Sequence, residues 1–172
     1  MAERKPTTAA GYGREETAQV EAAALTVATI LGDLIDDLCI VGGLVPSMLI
    51  DRERQGSGEE SQPGHCAFTV LKAHAFRRRG LGKDAYDLVY VLRHWPAGAD
   101  DVASRLADHL GRERETVEAA LDILREDFAS LEHLGPRRAA RFETGEDDDD
   151  SAADARGAVD DLLRALDLTL VS

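Results

Sequence analysis

The sequence predicts a mainly α fold, a helical bundle with one or two short strands. Three observations carry this reading. Apolar residues recur at three- and four-residue spacing almost throughout from residue 65 onward. Only one short apolar run, Leu38-Cys39-Ile40-Val41, reads as a strand. Glycine and proline clusters separate the periodic stretches. The chain has 172 residues, which suits one domain with a small core, and its 44% hydrophobic content argues against a wholly disordered chain.

Taken in order, residues 1–13 hold Pro6, Gly11 and Gly13 with little apolar bulk, and read as a flexible leader. Residues 14–55 form the next unit. Glu15 to Leu34 is helical, with Ala18, Ala22 and Leu25 on one face thickened by Val27, Ile30 and Leu34. The Leu38–Val41 strand follows, then the Gly42-Gly43 turn. A short helix runs from Leu44 to Ile50, with Pro46 in its first turn. Residues 56–64 are a polar linker, and residues 65–172 a helical C-terminal domain.

Within that domain, helices are expected at Cys66 to Arg79 and at Lys83 to His94, joined by the turn Gly80-Leu81-Gly82. A third spans Asp100 to Leu110 on Val102, Leu106 and Leu110. Glu113 to Leu131 is the most regular, with Val117, Leu121, Leu124, Phe128 and Leu131 in register. Gly135-Pro136 is expected to break the chain before a short basic helix, Arg137 to Phe142. The acidic run Glu146 to Asp150 reads as a solvated segment, and Ala153 to Leu168 as the last helix.

Composition excludes several function classes. The formal net charge of −13 should repel nucleic acid and anionic membranes unless a local basic patch dominates. Aromatic residues are only 5%, which argues against an extended stacking platform for nucleic acid. Two cysteines, Cys39 and Cys66, provide neither a disulfide framework nor a zinc motif. No apolar run has the roughly 18 residues of a membrane helix, so a soluble cytoplasmic protein is expected, with no membrane partner.

Three segments hold candidate chemistry. Gly42-Gly43, between strand and helix, suits either a plain tight turn or a backbone cradle for an anion. The stretch from Lys72 to Arg93 gathers Lys72, Arg77, Arg78, Arg79, Lys83 and Arg93 against only Asp84 and Asp87. It reads either as a phosphate clamp or as a solvated helix end whose arginines complement the dipole. In Lys83-Asp84-Ala85-Tyr86-Asp87, the carboxylates either cap a helix and form a surface ion pair, or orient the basic residues towards a ligand. The five histidines lack metal-site spacing and read as structural or exposed.

Three pieces then line up: Leu38-Cys39-Ile40-Val41-Gly42-Gly43-Leu44, Val70-Leu71-Lys72-Ala73-His74-Ala75-Phe76-Arg77 and Lys83-Asp84-Ala85-Tyr86-Asp87-Leu88. Together they resemble the nucleotidyltransferases of the abortive-infection AbiEii toxin type, within the DNA polymerase β superfamily. The resemblance covers roughly residues 30 to 170 and includes Asp122 to Phe128 and Gly135 to Phe142, which look like the helical C-terminal part of some bacterial members. It implies that Gly42 and Gly43 hold a nucleoside triphosphate. It also implies that Lys72, Lys83, Asp84 and Asp87 line the same cleft, beside which Arg79 of the basic cluster is a phosphate-binding candidate. A Mg²⁺-dependent transfer of a nucleotide to an RNA or protein acceptor would follow, together with a cognate antitoxin or partner subunit.

The chain departs from the family where the metal carboxylates belong. Asp51-Arg52-Glu53 falls near the expected distance after the diglycine, but its neighbours are charged where a sheet strand would be apolar. Only about 20 residues separate the diglycine helix from the Leu71-Lys72-Ala73 helix, as if an internal deletion had removed the catalytic strands. The resemblance therefore implies a remnant of an α+β nucleotidyltransferase fold, degenerate or dependent on a partner for its metal carboxylates. Two alternatives stand beside it. One is an active Mg²⁺-dependent transferase using Asp51 and Glu53. The other is a non-enzymatic helical interaction or regulatory module.

Overall fold

A computed structural model describes residues 7–8, 64–110 and 114–171. Among them the fold is mainly α, as the periodicity predicts, with six helices and no strand. These are α1 (Gly64–Arg79), α2 (Gly82–His94), α3 (Gly98–Leu110), α4 (Arg114–Asp127), α5 (Leu134–Thr144) and α6 (Asp149–Val171). The expected strand at Leu38 to Val41, the diglycine and the flanking helices lie outside the described residues.

Helix α2 is the hub, packed against α1, α3, α5 and α6. Its sequence explains why. Ala85, Leu88, Val89, Val91 and Leu92 form a buried apolar face, and the buried Asp84 and Asp87 extend it, so the helix is covered over more than half of its circumference. The less buried positions, Lys83, Tyr86, Tyr90, Arg93 and His94, form one remaining strip. Around the hub, α1 also packs on α4, and α6 closes the bundle against α3 and α5. The core runs through Phe76, Leu88, Leu106, Leu124, Phe128 and Leu162. Val117, Leu121, Leu124 and Phe128 are all buried at the expected spacing, while Leu131 is only partly covered.

The glycines set two close approaches. Gly80 leaves α1 in the left-handed region at φ 61°, with its N–H bonded to the Phe76 carbonyl at 2.7 Å. The Arg138 guanidinium of α5 lies where a Cβ on Gly80 would sit. Gly135 lies under the Phe128 ring, where a Cβ would come within 2.5 Å.

Several boundaries differ from expectation: α4 ends at Asp127 rather than Leu131, α6 runs on to Val171, and two differences have a clear physical reason. Gly135-Pro136 does not break the chain. Both residues lie inside the first turn of α5, where a proline costs no hydrogen bond because the first-turn N–H groups lack intrahelical partners. The acidic run is exposed but also starts α6: Asp148 Oδ1 accepts the Ser151 N–H at 2.8 Å, and Asp149 and Asp150 occupy the first turn, where negative charge suits the dipole.

Candidate functional site

The K-D-x-x-D segment opens α2, and Lys72 lies on α1, 12 residues before Asp84. The antiparallel turn through Gly80 brings the two helices together. It buries the carboxylates of Asp84 and Asp87, both 3% exposed, between their side chains. The expected alternative of a surface ion pair therefore does not hold for these acids.

All four carboxylate oxygens are used. Lys72 Nζ donates to Asp84 Oδ1 at 3.2 Å and to Asp87 Oδ2 at 2.6 Å. Arg79 grips Asp84 bidentately, from Nη2 to Oδ1 at 2.7 Å and from Nε to Oδ2 at 3.1 Å. Lys83 Nζ lies 2.7 Å and 2.9 Å from the two oxygens of Asp87. Two aromatic rings form a floor: Lys72 Nζ lies 5.3 Å from the Phe68 centroid and Lys83 Nζ 5.8 Å from that of Phe142.

Three cations against two carboxylates leave one positive charge in excess. The cations differ in reach. Lys72 is 13% exposed, Lys83 25% and Arg79 53%. The Arg79 Nη1 group is not engaged with Asp84, so the bidentate grip fixes a guanidinium that still presents donors outward.

The six basic residues of the 72–93 stretch do not converge. Arg77 turns to α4, to Asp127 at 2.9 Å and Glu126 at 2.9 Å, and these hydrogen bonds raise its pKa. Arg93 reaches Glu143 of α5 and Asp154 of α6. The gathered set is thus Lys72, Arg79, Lys83, Asp84 and Asp87. Gly42, Gly43, Asp51 and Glu53 lie outside the described residues. The i, i+4 spacing places Phe68 beside Lys72 in the sequence, but Phe142 was not singled out, because it lies on a helix 59 residues away from Lys83.

No family model, curated protein or solved structure matches the chain. The site therefore has to be read from its own chemistry. Asp84 and Asp87 do not fit a Mg²⁺ ion. Their lone pairs are taken by three cations, and a divalent ion would meet that positive charge. Among the described residues no three or more His, Cys, Asp and Glu side chains come together in a group that could hold a metal.

Two histidines and Cys66 make backbone contacts away from this cluster. His74 donates from Nε2 to the Thr116 carbonyl at 3.0 Å, tying α1 to α4. His94 donates from Nδ1 to the Tyr90 carbonyl at 2.9 Å. Cys66 is buried, with its Sγ 3.5 Å from the Val102 carbonyl, and burial pushes its thiol up to about 12. Such a thiol is a poor nucleophile near neutral pH. No helix among the described residues is long and apolar enough to cross a membrane.

Proposed function

We propose that the chain is a nucleotidyltransferase-like protein that holds the phosphate groups of a nucleotide on Arg79, Lys83 and Lys72, and that is degenerate or completed by a partner chain for catalysis. The observation that carries this is the Arg79 guanidinium, locked by a buried carboxylate yet half exposed. A preorganised arginine beside an excess positive charge suits phosphate oxygens, which accept bidentate donors. Asp84 and Asp87 act here as orienting groups rather than as metal ligands.

Addition of a nucleoside triphosphate without Mg²⁺ should raise the melting temperature, and Arg79→Ala with Lys83→Ala should remove that shift. No shift in the original protein would defeat the reading. Transfer of a labelled nucleotide to RNA or protein with Mg²⁺, abolished by Asp51→Ala, would instead support the active alternative.

A second reading rests on the same contacts. Each of these cations already has a carboxylate partner, so the network can serve simply to lock α1 onto α2 in a helical interaction module. That reading predicts a stable complex with a protein such as a cognate antitoxin, and no effect of nucleotide on the melting temperature.

A further inference from the structure

The less buried strip of the hub helix is aromatic, and it begins at the cation cluster. Phe142 touches both Lys83, 5.8 Å from its centroid, and Tyr86, at 5.3 Å between rings. Tyr86 continues to Tyr90 at 5.9 Å, and Tyr90 to His94 at 4.3 Å in a stacked pair. Tyr86, Tyr90 and His94 follow one another at four-residue spacing, so they stand in a row along the helix. All three are half-buried, which leaves part of each residue at the surface. From Lys83 to Tyr90 the helix rises about 10 Å.

Tyr90 borders the central core without being fully buried in it. The neighbouring positions Leu88, Val91 and Leu92 already face inward and are buried. Three of the eight Phe, Tyr and Trp rings of the chain, Tyr86, Tyr90 and Phe142, meet here. Burial and the nearby Glu143 charge raise the Tyr86 pKa, which keeps the phenol neutral and its face apolar. A surface with fixed cations at one end and a row of neutral rings leading away fits a planar ring tethered to phosphates.

We infer that the Tyr86–Tyr90 row of α2 receives the base of a nucleotide whose phosphates are held at Arg79 and Lys83. The inference rests on the phosphate-clamp reading and adds a subsite to it. The base would lie against exposed ring surface, so recognition is by stacking and tolerates different bases. Phosphate contacts supply the anchor, and the rings distinguish a nucleotide from a bare polyphosphate.

Calorimetry on the full chain tests this with two probes at the same ionic strength: inorganic tripolyphosphate and ATP, both without Mg²⁺. ATP should bind about tenfold more tightly than tripolyphosphate, the effect of one stacked base. Tyr86→Leu with Tyr90→Leu should bring ATP down to the tripolyphosphate affinity and leave tripolyphosphate itself unchanged. Tyr86→Phe with Tyr90→Phe keeps both rings, guards against a folding defect and should retain the tenfold preference. Equal affinities in the original protein overturn the inference alone. So does a preference that survives in the leucine variant, or one that is lost in the phenylalanine variant. Failure of tripolyphosphate to bind overturns the phosphate clamp, and the base subsite falls with it.

Discussion

Asp84 and Asp87 are 2% exposed as whole residues, and that burial sets the cost of changing them. Asp87→Ala removes the carboxylate that Lys72 and Lys83 share and should cost about 3–5 kcal/mol, because three cations then face the single buried carboxylate of Asp84. Arg77→Ala breaks pairs of the same kind at an exposed position and should cost at most about 1 kcal/mol. Urea denaturation of both variants checks this; equal losses would contradict the burial argument. Cys66 gives a second residue-scale expectation. Its thiol rises from 9.0 to about 12 on folding, so the folded state keeps a proton that the unfolded state releases above pH 9. The contribution is whole below pH 9 and is lost between about 9 and 12, at up to about 1.4 kcal/mol per pH unit. Stability measured against pH should therefore fall less steeply above pH 9 in Cys66→Ala than in the original protein. The residues of the site were legible as types: the spacing of Lys72, Lys83, Asp84 and Asp87 singled them out. Their burial was not, because it depends on a turn at Gly80 that folds α2 back over α1.

At the scale of the helix, two glycines make the same substitution act in opposite directions. In Gly135→Ala the new methyl meets the Phe128 ring, which is itself fully buried and tilted against Phe76 at 6.1 Å. Overpacking there should cost about 1–3 kcal/mol. Gly157 lies in α6 with no atom within 4 Å of an added Cβ. Gly157→Ala should stabilise by about 0.5–1 kcal/mol, by restricting the unfolded chain and removing a poor helix former. Thermal melts should move down for the first and up by about 2 °C or more for the second. Helix existence was readable from periodicity, as Val117, Leu121, Leu124 and Phe128 of α4 demonstrate. The ends were harder, for a physical reason. Pro136 marks a helix start as readily as a stop, and Asp148 looks like any other acid in its run until its carboxylate meets the Ser151 N–H.

For the whole molecule, 33 acidic residues against 20 basic ones decide how salt acts. Arg77, Arg93 and Arg137 hold local ion pairs that salt weakens slightly, whereas the surplus of −13 repels over longer distances that salt screens strongly. The melting temperature should therefore rise between 10 mM and 500 mM salt, concentrations at which the screening length falls from about 30 Å to less than 8 Å. A fall would mean that the ion pairs outweigh the surplus. The mainly α class was legible at this scale because almost every segment after residue 65 repeats at helical spacing. The role of α2 as hub was not, since Asp84 and Asp87 look like surface acids until neighbouring helices cover them. The fastening of Arg79 to Asp84 across Gly80 has a further consequence. Helix ends ordinarily open and reclose many times before a protein unfolds. Here Arg79 in the last turn of α1 is fastened to Asp84 in the first turn of α2. The hydrogen-bonded amides of the last turn of α1 should exchange with deuterium about as slowly as those in the middle of α2, opening only when the whole bundle does.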